Sequence, residues 1–270
     1  MKRPRTAVFA TGALLAVTLA LPALGDDARP PVLREVGIDQ KLGESLPLDL
    51  SFRDESGDAV RLGDFFGRKP VLLVLAYYRC PMLCPMALEG LVRSLRPLSL
   101  DVGREFQALT VSIDPRDTPE AAAEEKRKLV AAYGRAGAAQ GWRLLVGDAA
   151  AIEQLTQAIG FHYRYDAQND QYAHATALFV LTLQGKISRV LYGVDPAPRD
   201  VRLALVEASD NRIGTLADQL LLFCYHYDPL SGKYGAATMT ALRLAGAMTL
   251  LGLAGFVVLQ LRRENLKPQV

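Results

Sequence analysis

The uncharged run Val71-Leu72-Leu73-Val74-Leu75-Ala76-Tyr77-Tyr78 leads, after Arg79, straight into Cys80-Pro81-Met82-Leu83-Cys84-Pro85. The run reads as a fully buried strand, and Met86 to Val92 has the apolar spacing of a helix. Two thiols therefore fall where a strand end becomes a helix start. Backbone N–H groups and the helix dipole favour thiolate over thiol at such a place. On a helical path Cys84 stands about one turn beyond Cys80, with both sulfurs on one side. Such a pair can close a disulfide or clamp one soft metal ion. Two plain structural cysteines fit less well, because the prolines set both sulfurs at an element boundary.

The termini say where the chain works. Lys2, Arg3 and Arg5 precede an apolar stretch from Ala7 to Leu21, then Pro22-Ala23-Leu24-Gly25. That is the order of a secretory signal, with cleavage expected before Asp26 and an uncleaved anchor as the alternative. No cysteine lies near the cut, so a lipid-modified N-terminus is not expected. At the other end, residues 244–261 carry no charge, with Arg243 just before them and Arg262, Arg263 and Lys267 just after. About 18 apolar residues suffice for a membrane span, and basic residues mark its cytoplasmic end. Both ends give one topology: an exported domain held to the outer face by a C-terminal helix.

The balance of 31 basic against 29 acidic residues speaks against a nucleic-acid partner. The stretch of about 200 residues between the two end segments suits one domain and a connecting arm. An exported compartment permits disulfides, yet three cysteines cannot all pair internally, and Cys224 is the odd one by position.

Along the domain, residues 46–52 and 59–62 read as a hairpin around the turn Asp54 to Asp58. Residues 106–113 form the next strand candidate. Thr118 then caps a helix with Pro119 at its first position, running to Tyr133 and stopped by Gly134. Trp142 to Gly147 is a short strand, and Asp148 caps a helix over Ala149–Ile159. Residues 176–182 and 187–192 flank Gln184-Gly185-Lys186 as a hairpin, and a last helix covers 198–208. Strands alternating with helices and ending on a hairpin give an α/β domain.

Taken together, these residues resemble the Sco/SenC family of copper-handling proteins. Four matches carry the resemblance, in order, between about Gly37 and Ala208. They are the cysteine motif Cys80 to Pro85 after its aromatic-ended strand, and the turn Asp114-Pro115-Arg116-Asp117-Thr118-Pro119. Next comes the strand Trp142 to Gly147, then His174 in Tyr172-Ala173-His174-Ala175-Thr176. The resemblance implies a thioredoxin-like fold, here with an N-terminal hairpin and a C-terminal transmembrane helix. With the end segments read above, it divides the chain into a signal peptide 1–25, a linker 26–40, a copper-binding domain 41–208, a juxtamembrane arm 209–237, a span 238–262 and a cytoplasmic tail 263–270. It further implies metal ligation by Cys80, Cys84 and His174, copper as Cu(I) or Cu(II), and the copper-bearing subunit of cytochrome c oxidase as partner. The chain departs from the family where Met82 or Leu83 replaces an acidic residue between the cysteines. Ala173 likewise replaces an Asp before the histidine, removing an acceptor that would orient the imidazole.

The residue chemistry agrees independently. Soft thiolates favour Cu(I), and an imidazole makes Cu(II) tolerable. Zinc accepts the same ligands, but a structural zinc site usually has four. Met82 is expected as an apolar lid, with a thioether ligand as the alternative, and His162 as a surface or packing residue. In an extended arm Cys224 and His226 point the same way and make a second candidate metal site. A membrane-anchored copper chaperone is the leading expectation. An exported thiol–disulfide oxidoreductase, with Cys80 attacking and Cys84 resolving, is the alternative. A peroxidase and a copper sensor are weaker ones.

Overall fold

A computed structural model describes residues 35–212 in full, the backbone of 227–228, 233–234 and 236–265, and the side chains of 243–258. The expected signal peptide, most of the linker, and the pair Cys224 and His226 lie outside the described residues.

The core is a five-stranded sheet in the order β10-β9-β4-β5-β6. Its strands are β4 (Val71–Ala76), β5 (Gln107–Ser112), β6 (Trp142–Leu145), β9 (Ala177–Leu181) and β10 (Ile187–Tyr192). β4, β5 and β6 run parallel, while β9 is antiparallel to β4 and β10 antiparallel to β9. All six residues of β4 are buried, as the absence of alternation in its sequence requires of a central strand covered on both faces. A strand–helix–strand unit followed by a hairpin on the same central strand is the arrangement expected of a thioredoxin-like domain.

The helices are placed by their end signals. Helix α1 covers Leu83–Leu95, α2 Pro119–Tyr133, α3 Ala138–Gly141, α4 Ala149–Ile159 and α5 Pro198–Ser209. Thr118 accepts from the Ala121 N–H and Gly134 closes α2 in the left-handed region, while Asp148 accepts from the Ala151 N–H at the head of α4. Helix α1 packs against both α2 and α5, and these pack in turn on β6 and on the β9–β10 hairpin. Gly90 makes the α1 contact possible: a Cβ there would stand 1.8 Å from the Val194 carbonyl oxygen.

The structure differs from the sequence reading in its hairpin and in a second sheet. The N-terminal hairpin is shorter than its sequence pattern, β2 (Ser51–Arg53) pairing with β3 (Ala59–Arg61). The residues before it spend their polar groups elsewhere, the Leu46 N–H on the Gly185 carbonyl and the Leu50 carbonyl on the Leu62 N–H. A second sheet, β1-β7-β8, was not legible as such. In it β7 (Phe161–Asp166) pairs antiparallel with β8 (Gln171–His174) and with β1 (Gly37–Ile38). At the C-terminus, a 30-residue helix α6 (Ala236–Asn265) follows a two-residue pairing of β11 (Tyr227–Asp228) with β12 (Lys233–Tyr234). Among the described residues no helix is long and apolar enough to cross a membrane. The helix forms where a span over 238–262 was expected, and the span itself is not borne out.

Candidate metal centre

The end of β4 turns sharply. Tyr77 and Tyr78 leave the sheet, the Cys80 N–H bonds back to the Tyr77 carbonyl at 3.3 Å, and α1 begins at Leu83. Cys80 thus lies in the turn ahead of the helix and Cys84 in the helix's first turn. Both are buried and both are free thiols. The turn aims donors at sulfur: the Cys84 N–H at Cys80 Sγ (3.3 Å) and the Tyr77 N–H at Cys84 Sγ (3.4 Å).

The two sulfurs are electrostatically unequal. The Cys84 thiol donates to Cys80, and with His174 and the Cys84 and Met82 backbone N–H groups it outweighs burial, lowering the Cys80 pKa to about 3. Cys84 goes the other way, pushed up because it is the donor in that bond and because it is buried. Burial, followed by its own hydrogen bond to Cys80, raises the Tyr77 hydroxyl as well, keeping it a donor. The pair therefore holds one proton between two sulfurs, with Cys80 as the thiolate.

His174 arrives from the other sheet. It ends β8 opposite Tyr163 of β7, and only 7 % of it is exposed. Its Nε2 stands 3.4 Å from Cys84 Sγ, and its Nδ1 2.8 Å from the carbonyl oxygen of Ala175. A carbonyl can only accept, so Nδ1 carries a proton, and Nε2 is the ring nitrogen that faces the sulfurs. The Ala175 carbonyl does the orienting work that the missing Asp at 173 was expected to do. Tyr77 (5.9 Å) and Phe161 (6.0 Å) flank the ring, and Tyr172 packs on Tyr77, Tyr163 and Tyr165.

The structure thus brings together Cys80, Cys84 and His174 from a turn, a helix and a separate hairpin. As they stand the three are closed on one another: among the described residues no group of three or more His, Cys, Asp or Glu side chains is arranged to hold an ion. Two sulfurs and an imidazole nitrogen in mutual contact nonetheless form a donor set suited to a soft ion or to two-electron sulfur chemistry. His162 does not join them. It pairs at the surface with Asp39 at 2.7 Å. Met82 is 66 % exposed, more open to solvent than its expected role as an apolar lid requires.

Sequence reading missed the supports of this site. Tyr77 counted only as a strand residue, although it donates to both sulfurs. Asp117 accepts from the Tyr78 N–H (2.7 Å) and from Ser112 Oγ (2.6 Å), bracing the cysteine turn from below. Burial works against the charge of Asp114, but hydrogen bonds from the Arg116 side chain and N–H, with the charges of Arg116 and Arg79, hold its carboxyl below the usual range. The available signal was the alternation of Phe161, Tyr163 and Tyr165, which puts three rings on one strand face.

Residues 40–205 match the family model described as SCO1/SenC. No curated protein gives a significant match. A crystal structure from Aquifex aeolicus VF5, described as a candidate electron transfer protein, superposes with a TM-score of 0.56 at 25% identity, over 65% of this chain and 98% of that one. A candidate electron transport protein of the same organism gives 0.52 at 26% identity, over 63% and 99%. Arabidopsis thaliana ScoI with copper bound gives 0.50 at 16% identity, over 62% and 99%, a likeness of fold.

Proposed function

Because the chain belongs to the SCO1/SenC family, matched over residues 40–205, we propose that it is an exported, membrane-anchored copper chaperone. Its cargo is destined for the binuclear copper centre of cytochrome c oxidase, the target that the family resemblance implies. The observation that carries the reading is the meeting of Cys80, Cys84 and the Nε2 face of His174 in one buried cluster. Two thiolates suit Cu(I), and the imidazole adds the harder donor that Cu(II) requires. Loading exchanges the hydrogen bonds among the three side chains for bonds to the cargo. Three protein ligands leave room for a donor from the partner, so the ion can pass without being set free. Anchoring is argued from sequence: residues 244–261 are free of charge and followed by Arg262 and Arg263.

The test is a titration of the reduced protein with Cu(I) and Cu(II) against competing ligands. One ion is expected at Cys80, Cys84 and His174, its binding abolished for Cu(I) in Cys80→Ser or Cys84→Ser. Full copper retention by either serine variant sinks the proposal.

The unequal sulfurs favour a second reading, a thiol–disulfide reductase acting on the same partner's cysteines. Cys80 thiolate would attack a disulfide sulfur of the partner, forming a mixed disulfide and expelling the other partner sulfur as thiolate. Cys84, giving up its proton, would then displace the second sulfur, leaving a Cys80–Cys84 disulfide and a reduced partner dithiol. An external dithiol must restore the pair. Reduction of an oxidised copper-site peptide at equal rates with and without His174 would favour this reading.

A further inference from the structure

The turn after β5 is shared by both halves of the site. On the thiol side Arg79, the neighbour of Cys80, reaches Asp117 Oδ1 at 3.2 Å and Asp114 Oδ2 at 3.3 Å. On the imidazole side Tyr172, two residues before His174, donates to Asp114 Oδ1 at 3.4 Å. Arg116 completes the link. Its Nε and Nη2 fork onto Asp114 at 2.8 and 2.9 Å, while its Nη1 reaches the tip of the β7–β8 hairpin, at Asp170 Oδ1 (2.7 Å) and Tyr165 Oη (3.3 Å). The guanidinium also lies over the Tyr165 ring, 5.0 Å from its centre, and 5.9 Å from that of Tyr172.

The two ends of this bridge differ. The Asp114 side chain is 1% exposed and that of Asp170 is 72% exposed. Charge-assisted forks at a buried carboxylate are strong, whereas an ion pair in water is weak and screened by salt. One end is therefore fixed and the other releasable. The hairpin that Arg116 grips belongs to the β1-β7-β8 sheet, outside the central sheet whose strand β4 leads into the cysteine turn.

We infer that Arg116 is a positioning residue, latching the β7–β8 hairpin to the Asp114 turn and so holding the His174 imidazole against the Cys80–Cys84 pair. Latched, the site presents two sulfurs and a nitrogen. Released, it presents the thiol pair alone, a donor set for Cu(I) and a weaker one for Cu(II). Only this metal consequence rests on the chaperone reading; the latch itself does not.

Three variants of the full chain test it. Arg116→Gln removes the fork and the charge, and Asp170→Asn cuts only the exposed end. Asparagine is suited to the positive φ of 49° at position 170. Arg116→Lys restores the charge without the fork and is the rescue variant. In the metal-free reduced protein, amide exchange in β8 is expected to quicken about 3- to 10-fold in the first two variants, with Arg116→Lys in between. Exchange in β4 and β5 should stay at the unaltered rate. β8 exchange that is unchanged, or that quickens only in step with β4 and β5, overturns the latch. With metal, Cu(II) affinity should fall about 10-fold with Cu(I) affinity kept, and the Cu(II) absorption spectrum should move toward that of His174→Ala. Equal weakening of both oxidation states, or of neither, overturns the positioning role. Failure of the unaltered protein to bind copper sinks the chaperone reading, while the exchange experiment still decides the latch.

Discussion

Cys80 and Cys84 differ in chemistry because the turn gives one of them nearly all the donors. Cys80 accepts while Cys84 donates, so at neutral pH the reduced pair carries one proton. Binding Cu(I) should therefore release about one proton per ion at pH 7, not two, as pH-stat titration would measure. A release of two would mean that Cys80 is protonated before loading. The same inequality fixes how this pair moves stability with pH. From the folded Cys80 pKa of about 3 up to the ordinary thiol value of 9.0, the unfolded chain holds both protons and the folded chain one, so stability rises with pH. Above 9.0 the unfolded chain holds none while Cys84, its pKa raised, keeps its proton, so stability falls again. The melting temperature of the reduced protein, minus that of the Cys80→Ser, Cys84→Ser double variant, should peak near pH 9. A difference that declines steadily from pH 5 upward would contradict the assignment. His174→Ala should leave the domain folded and weaken Cu(II) about 10- to 100-fold, read by competition titration. An unchanged affinity would make the residue a packing histidine.

At the scale of elements, α1 carries the cysteines only as steadily as it is itself held. Its middle passes so close to the loop after β10 that Gly90 has no room for a side chain. Ser94 secures the same crossing, its single hydroxyl proton lying within hydrogen-bond reach of the carbonyls of both Gly90 and Pro196. Gly90→Ala should therefore destabilise the domain by about 1–3 kcal/mol through overpacking, despite the better helix propensity of alanine. Urea denaturation would show this as a lower midpoint. Gly37→Ala, where a Cβ meets nothing within 4 Å, is the control. A Gly90→Ala midpoint at or above the parent's would mean that the loop yields freely.

For the whole molecule, the proposal sets the domain outside the membrane and the tail after residue 262 inside. A reporter active only after export should work when fused at Asp210 and fail when fused after Val270; the reverse pattern would refute the topology. Removing residues 236–270 should free the domain from membranes in a fractionation assay. The candidate second site that the sequence offers at Cys224 and His226 would add a second copper equivalent in the full chain, lost in a chain ending at Arg212. Equal stoichiometry would discard it.

The sequence by itself determined the central sheet and its helices. A short unbroken apolar run bounded by turn residues reads as a covered strand, and Thr118-Pro119 and Asp148 are local start signals that act over three residues. It likewise marked Cys80 and Cys84, because their chemistry and their place between strand and helix are both local. His174 was legible only through family resemblance, since a lone histidine carries no sign of what it will meet. What the tertiary structure decided is everything that depends on separations of many residues. The β7–β8 pairing puts His174 across from Tyr163 and beside Cys84, 90 positions away. The Ala175 carbonyl replaces an absent carboxylate because backbone acceptors are the same at every residue and leave no trace in composition. The charges of Asp114, Arg116 and Asp170 look like ordinary turn and surface residues in the sequence. They become a bridge only when two sheets with no hydrogen-bonded strand in common are folded against the same turn.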